Sequence, residues 1–520
     1  MNRTWLLLKT QLYNYFSINE IMEPNSQKKN ASFIAGIGVL TIGLFLCVYN
    51  VLTAISLVEM GQQNLIPAYM VAVSSFAILL LSMFNSNGIL FGSQDFEMLS
   101  ALPIKSSEII SSKFWFMYLL NLVLGFVFMV PGGIVWAIHS NLNVLFLLLY
   151  IITIFFVPLI PMCIAALIGV GIVLLSSKFR NKNIFSLLFS FMMLGVIGYI
   201  GFSSTQSGTA NGNIGAMLAD QISGMYPLSR WFLIKDNYPF TGAILFLLIS
   251  ATIFFLFIKI VAGKYNQMNS ILMQAAGKSV KRKENLKHYS RFMALYQKEF
   301  GRFFSSYMYV LNTSLGVVLL CISSIVFAVV SPDTLARHIG VENIDVFFGQ
   351  FAPIIIASML SLSCPAASSI SLEGKNIWIL QSAPLSMKTF LKSKIAVNLT
   401  LHSFGYWLAV MSFSFKLKLD GFQLITLFAI PAVYSIFTAV QGSYFNSRFP
   451  NFEWENETLL VKQSIPVILS SAVGMVAVAI PVLIHWFLDF SLLLTLWGMA
   501  LILSVITCLL YRKACKIKII

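Results

Sequence analysis

Long apolar runs separated by short polar segments fill the chain from residue 31 onward. A helix needs roughly 20 consecutive apolar residues to cross the hydrocarbon core of a bilayer. The pattern therefore predicts an all-α polytopic membrane protein of about twelve transmembrane helices, because a membrane β-barrel would show short alternating segments instead. The predicted spans are residues 31–57, 66–90, 114–138, 143–175, 185–204, 241–262, 308–330, 346–370, 395–415, 421–445, 465–487 and 491–511.

Two segments that precede apolar runs are amphipathic. Residues 1–16 place Trp5, Leu8 and Leu12 against polar side chains such as Lys9. This favours a short helix lying in the cytoplasmic interface of the membrane, although an ordinary helix before the first span fits as well. Residues 294–304 have the same character, and Lys298 stands there as Lys9 does in the first segment.

A polar loop after the second span has a counterpart far along the chain. The first copy is FGSQDFEMLSALPIKSSEIISSKF, Phe91 to Phe114, and the second is SLEGKNIWILQSAPLSMKTFLKSKI, Ser371 to Ile395. Aligning the prolines of the two loops at an offset of 281 also aligns leucines and a Ser-Lys pair. The aligned residues are Pro103 with Pro384, Leu99 with Leu380, and Ser112-Lys113 with Ser393-Lys394.

A second pair of landmarks supports a duplication. Pro161 and Pro431 each lie sixteen residues before a Ser-basic-Phe triplet, at a constant offset of 270. Six spans in each half is an even number, so the two halves are predicted to share one orientation as a parallel repeat. The predicted domains are a first transmembrane half (residues 1–265), a basic cytoplasmic linker (266–292) and a second transmembrane half (293–520).

The basic residues set the predicted orientation. The chain is 58% hydrophobic and 10% charged, with a net charge of +15. With the N-terminus in the cytoplasm, only five of the 34 lysines and arginines fall outside. This asymmetry follows the positive-inside rule and predicts cytoplasmic N- and C-termini, so the positive charge needs no nucleic-acid partner. The residues outside are Arg230, Lys235, Arg337, Lys416 and Lys418.

Candidate chemistry within the spans is sparse. The nineteen acidic residues are predicted to lie in loops or at span ends, which disfavours ion-coupled transport through mid-membrane carboxylates. His402 is the one histidine well inside a predicted span, and packing explains it better than catalysis. The nearest match to a phosphate-binding loop, Gly277-Lys278-Ser279, lacks the first glycine. Neither a metal motif nor a protease motif is present, so an enzyme is not predicted.

The two loops resemble the coupling helices of ABC type 2 exporter permeases, and the whole chain is similar to the fused two-half permeases of Gram-positive bacteria. The resemblance implies that each loop docks on a separately encoded nucleotide-binding subunit, which binds the ATP and Mg²⁺. It implies two ATPase subunits, either two copies of one or two different ones, and export of an amphipathic cargo (peptide, lipid or antibiotic). The implied location is the bacterial plasma membrane. The residues assigned to partner binding are Asp95, Glu97, Leu99, Leu102, Pro103, Glu108, Glu373, Trp378, Leu380 and Pro384.

Three other interpretations remain open at this point. The two loops could simply lie on the membrane surface. The chain could be a twelve-helix secondary transporter, or it could be a membrane sensor or scaffold allied to an ATPase without transporting anything.

Overall fold

The computed structural model describes residues 3–15, 26–86, 102–140, 144–177, 182–204, 214–233, 239–276, 289–331, 334, 343–454 and 457–517. These residues fold into helices and connecting turns, and none of them lies in a β-strand. The chain forms two compact units. One contains residues 1–22 and 43–281, and the other contains residues 23–42 and 282–520.

The first half of the chain folds into nine helices within the described ranges. They are α1 (Arg3–Tyr15), α2 (Ser26–Glu59), α3 (Ile66–Ser86), α4 (Ser106–His139), α5 (Val144–Phe156), α6 (Leu159–Ser177), α7 (Lys182–Ser204), α8 (Ile214–Met225) and α9 (Pro239–Ala276). The core of this unit is apolar and aromatic, with Trp136 packed edge-on against Phe146.

The second half repeats this order. Its helices are α10 (Arg291–Ser305), α11 (Tyr307–Thr313), α12 (Leu315–Val329), α13 (Ile344–Ser361), α14 (Ala366–Ser369), α15 (Ile377–Gln381), α16 (Met387–Lys416), α17 (Gly421–Arg448), α18 (Glu457–Gln463), α19 (Ile465–Leu488) and α20 (Leu492–Ala514). Helix α10 packs on α16 as α1 packs on α4, and α13 packs on α17 as α3 packs on α6. These two packing contacts are therefore common to both halves.

The predicted spans correspond to helices of the described chain. Nine helical stretches in these ranges are long and apolar enough to cross a membrane, and a bent pair, α11 and α12, makes a tenth. Helix α7 supplies a shorter apolar stretch, Phe185–Val196. Helix α16, the predicted ninth span, has the length but is less apolar, because Asn398, His402 and several hydroxyl side chains interrupt it.

Three spans predicted as continuous helices are broken. The fourth, predicted over residues 143–175, divides between α5 and α6 because Pro158 has no N–H to donate to the carbonyl of Ile154. The seventh, predicted over 308–330, bends by 63° at Ser314. The eighth, predicted over 346–370, ends as α13 at Ser361, shortly before Pro365. Hydropathy alone does not show these breaks, since an apolar run remains apolar on both sides of a bend.

The segment between the fifth and sixth predicted spans, residues 205–240, contains two helices within its described part. Helix α8 is followed by a 3₁₀ helix, Pro227–Phe232, whose Phe232 is buried against Phe246 of α9. Ser229 Oγ donates to the carbonyl of Tyr226 at 2.6 Å and fixes the turn between the two helices. Phe232 therefore packs into the core of the unit.

Candidate functional site

The second of the two matched loops lies between α13 and α16 and is fixed to its own unit by the end of α17. Asn446 Oδ1 accepts hydrogen bonds from the N–H groups of Ile370 (2.6 Å) and Ser371 (3.1 Å). The Asn446 amide donates to Ser371 Oγ at 2.7 Å. A buried side-chain amide that satisfies two backbone donors holds the start of the loop firmly, because releasing it would leave those donors unpaired.

The segment after α17 closes over the same turn. Trp454 Nε1 donates to the carbonyl of Ser371 at 2.8 Å. Gly374 has a φ of +56°, a conformation that side chains other than glycine rarely adopt. A Cβ at this position would also lie 3.2 Å from Trp454 Nε1. The turn therefore requires glycine both for its backbone angle and for the close approach of the tryptophan.

A buried carboxylate ties the loop to two helices. Glu373 Oε1 lies 2.8 Å from Lys394 Nζ of α16. Its other oxygen, Oε2, lies 2.9 Å from Arg302 NH1 and 2.7 Å from Lys298 Nζ, both on α10. The Glu373 side chain is 4% exposed, whereas that of Lys298 is 46% exposed, so the network reaches from the interior to the surface.

A second buried carboxylate completes this network. Glu299 of α10 pairs with both Arg302 and Lys394. The carbonyl of Ser369 accepts hydrogen bonds from Lys394 Nζ at 2.9 Å and from Arg302 NH2 at 3.0 Å. Two carboxylates thus meet three cations, and the ion network (Lys298, Glu299, Arg302, Glu373 and Lys394) carries one net positive charge.

The electrostatics of Glu373 show how strongly the network favours its ionised form. Burial by itself raises the pKa of a carboxyl, because it removes the charge from water. The charges of Lys394, Arg302 and Lys298 outweigh burial and hold the pKa of Glu373 well below its usual range. Glu373 therefore stays ionised at any physiological pH.

The tip of the loop points away from this network. Trp378 and Ile379 are 61% and 51% exposed. Lys375 and Lys388 are exposed on either side of them along the chain. Leu380, by contrast, is buried in an apolar cluster with Leu295, Ile370, Phe390, Leu391 and Ala514. The loop has a supported underside and an exposed apolar tip.

The predicted partner-binding residues of this loop separate accordingly. Trp378 and Pro384 are exposed, so their assignment stays a prediction. Glu373 and Leu380 face the interior, where they support the loop within its own chain. Leu380 packs in the apolar cluster and Glu373 forms ion pairs. The accessible surface of the loop is formed by Trp378 and its neighbour Ile379.

In the first loop, Asp95, Glu97 and Leu99 lie outside the described residues. Leu102 and Pro103 are exposed, and the carbonyl of Pro103 accepts a hydrogen bond from Arg3 of α1. The first loop, like the second, therefore contacts the amphipathic helix of its own half.

Glu108, also predicted as a partner contact, has a local role. Its carboxylate accepts a hydrogen bond from the backbone N–H of Lys105 at 3.0 Å, which caps the start of α4.

Sequence analysis missed Glu299, Arg302 and Lys394 as members of the site. One signal was available: Glu299 lies on the stripe formed by Leu295 and Phe303, at the i, i+4 spacing of one helix face. A carboxylate on an otherwise apolar face implies a buried partner, because an unpaired buried charge is very unfavourable. One partner, Arg302, lies three residues further along the same helix, but the other, Lys394, lies 95 residues away and could not be read from spacing.

A family model described as "Membrane protein of 12 TMs" matches residues 29–513. The chain belongs to this family of twelve-span membrane proteins. No curated protein matches the sequence.

Within this twelve-span protein, the polar residues of α16 also have clear partners. His402 is buried, and its Nδ1 lies 2.9 Å from Ser435 Oγ of α17. Its Nε2 lies 2.6 Å from the carbonyl of Ser363, at the break after α13. A neutral imidazole that donates to the carbonyl and accepts from the hydroxyl satisfies both contacts. This agrees with the packing role expected for His402.

The described residues offer no group of three or more His, Cys, Asp or Glu side chains suited to a metal ion. The ion network is therefore best understood as carboxylates paired with cations of the same chain.

Proposed function

We propose that this twelve-span protein is the permease subunit of an ATP-binding-cassette exporter. In this proposal the two matched loops are coupling helices, each seated on a separately encoded ATPase subunit that binds ATP and Mg²⁺. The protein resides in the bacterial plasma membrane with both termini in the cytoplasm. The cargo is amphipathic, and the two ATPase subunits are either identical or different.

The observation that carries the proposal is the contrast between the tip and the underside of the second loop. Trp378 and Ile379 are exposed on a short helix, α15, whose Leu380 is buried in an apolar cluster of the same unit. Glu373 ties the loop to Lys394 of α16 and to Arg302 of α10 through buried ion pairs. Breaking a buried pair is strongly unfavourable, so displacement of the tip would be passed to α16, a membrane-spanning helix.

The exposed tip also indicates the chemistry of its partner. Aromatic anchors seated in a pocket dominate many protein interfaces, and Trp378 is such an anchor. Lys375 and Lys388 flank the tip, so the complementary groove would be apolar at its centre and acidic at its rim.

The placement of acidic residues supports an external energy source. Within the described membrane-spanning helices, carboxylates occur only at the ends, at Glu59, Glu108 and Asp345. Ion-coupled transporters keep ionisable groups near the bilayer midplane. Energy delivered by ATPase subunits at the cytoplasmic loops fits this distribution better.

Site-specific photo-cross-linking tests the proposal. A benzoyl-phenylalanine is placed at position 378 in membranes of the native host, and adducts are identified by mass spectrometry. The matched control is position 486, because Trp486 is 65% exposed and Trp378 is 61% exposed. We expect an ATPase with a phosphate-binding loop to cross-link from 378 and not from 486. Absence of that ATPase at 378, or its equal capture at both positions, would refute the proposal.

A further inference from the structure

Beside the break after α13 lie three buried polar side-chain atoms that have no hydrogen-bond partner among the described residues. They are Ser361 Oγ, Thr438 Oγ1 and Gln441 Oε1. Thr438 and Gln441 are completely buried, and Ser361 is 8% exposed. Buried polar atoms in native proteins are nearly always paired with protein or with ordered water.

The three residues belong to one neighbourhood. A Cβ at Gly474 of α19 would lie 3.5 Å from the Ser361 carbonyl and 3.9 Å from Gln441 Nε2. Gln441 Nε2 donates to the carbonyl of Ser470, also on α19, at 3.2 Å. Cys364 Sγ contacts the Thr438 carbonyl at 3.2 Å. The three residues therefore lie where α13, α17 and α19 meet.

The break itself adds another acceptor. A helix continuing past Ser361 would use the N–H of residue 365 to satisfy the Ser361 carbonyl, but residue 365 is proline. An amide oxygen and a backbone carbonyl can only accept hydrogen bonds, and the two hydroxyls can accept or donate. This set fits a ligand that donates hydrogen bonds.

From this arrangement we propose that Ser361, Thr438 and Gln441 form a buried water-binding site at the break after α13. Water both donates and accepts, so it can satisfy an amide oxygen, a carbonyl and two hydroxyls together. A cation is disfavoured, because the three residues of the site include no carboxylate and the ion network, whose Arg302 and Lys394 donate to the Ser369 carbonyl, carries net positive charge. The proposal stands independently of the proposed ATPase partners.

Hydroxyl-radical footprinting of the full-length protein in lipid nanodiscs tests the site, because radiolysis of bound water oxidises the side chains next to it. Cys364 is the native reporter, and Cys163, buried in an apolar cluster of the first unit, is the internal control. Because Cys364 is partly exposed and Cys163 is buried, the comparison of the Cys364 oxidation rate between the wild type and a variant decides the test. We expect this rate to fall several-fold in the Thr438→Val variant. An unchanged Cys364 rate in Thr438→Val would overturn the proposal.

The matched control variant is Thr426→Val on the same helix. Thr426 Oγ1 already donates to the Phe422 carbonyl at 2.7 Å and accepts from Trp497 Nε1 at 3.0 Å. This variant should therefore leave Cys364 labelling unchanged. If Thr438→Val does not fold, Ser361→Ala removes another polar side chain of the site and should lower Cys364 labelling to the same extent.

The direction of the thermal shift supplies a second readout. A dry, unpaired hydroxyl is unfavourable, so Thr438→Val would raise the Tm if the site held no water. A hydrated site instead loses a hydrogen-bonded group, and the Tm should fall. A rise in the Tm overturns the proposal. So does a Tm of the wild-type protein that increases with sodium but not with choline, since that result would identify a cation site.

Discussion

The two matched loops share a framework and differ in charge. Ser112 and Ser393 are both buried, and each donates its hydroxyl to the carbonyl three residues earlier at 2.7 Å. Lys113 and Lys394, the next residues, are each 2% exposed. The apolar pairs that precede them, Ile109-Ile110 and Phe390-Leu391, are also buried. The two loops are therefore joined in the same way to the spanning helix that follows each of them.

The amphipathic helices differ in charge at the positions matched by sequence. Aligning Lys9 with Lys298 places Thr10 where Glu299 stands and Tyr13 where Arg302 stands. Thr10 is exposed and donates only to carbonyls of its own helix, within the described contacts. The carboxylate on α10 is thus specific to the second half. The comparison indicates that the buried Ser-Lys pair is common to both halves, whereas a carboxylate on the amphipathic helix occurs in α10 and not in α1.

The largest expected effect comes from giving the second half the residue found in the first. Glu299→Thr removes one of two carboxylates from a network with three buried or half-buried cations, and we expect a loss of about 3–5 kcal/mol in stability. Thermal unfolding in detergent measures it. Glu453→Thr is the control, because Glu453 is exposed on a neighbouring segment. Equal, small effects of both substitutions would show that the network does not stabilise the fold.

A smaller effect is expected at the exposed tips. Truncating Trp378 and Ile379 to alanine should weaken binding of the cross-linked ATPase by at least ~2 kcal/mol, roughly 30-fold, if the tip is an interface anchor. Leu102→Ala in the first loop removes a smaller exposed side chain and should cost less. Measuring the affinity of the ATPase for each variant of the protein in nanodiscs checks this order. A stronger effect of Leu102→Ala would reverse the proposed inequality of the two loops.

The pH dependence of stability offers a still smaller, directional effect. The folded-state pKa of Glu373 lies well below its unfolded value of about 4.5. Its contribution is therefore complete above pH 4.5 and is lost as pH falls from there towards the folded pKa. Subtracting the unfolding free energy of Glu373→Gln from that of the wild type isolates this contribution. The difference should be constant between pH 5 and 7 and shrink below about pH 4.5. A difference that grows on acidification would contradict the assignment.

The smallest effect is expected from the reciprocal exchange. Thr10→Glu places a carboxylate on the exposed face of α1, where water solvates it. We expect stability to change by no more than about 0.5 kcal/mol, as for ordinary surface substitutions. Thermal unfolding of Thr10→Glu and of Glu299→Thr under the same conditions measures the difference in stability between the two exchanges. A large gain from Thr10→Glu would mean that the first half can also build a buried network on its amphipathic helix.

Much of the architecture was accessible from the sequence, because the apolar runs and their repeat determine which segments become helices. The breaks at Pro158 and Ser314 were not, since hydropathy does not report a local loss of hydrogen bonding. The site was only partly accessible. An amphipathic pattern shows that Leu380 is buried but does not show which residues bury it. In the structure, residues of the same chain bury Leu380. The partners of Glu373 come from two distant helices, which no local spacing reveals.

The most direct test separates docking at the tip from transmission through the ion network. The protein is reconstituted with the ATPase that cross-links at position 378, and ATP turnover is measured with wild type and with Glu373→Gln. Glu373→Gln leaves Trp378 and Ile379 in place but weakens the ion pairs that join the loop to α10 and α16. The account predicts that this variant still binds the ATPase and that the protein no longer alters ATP turnover. A Glu373→Gln variant that binds the ATPase and still alters its ATP turnover as the wild type does would contradict the account.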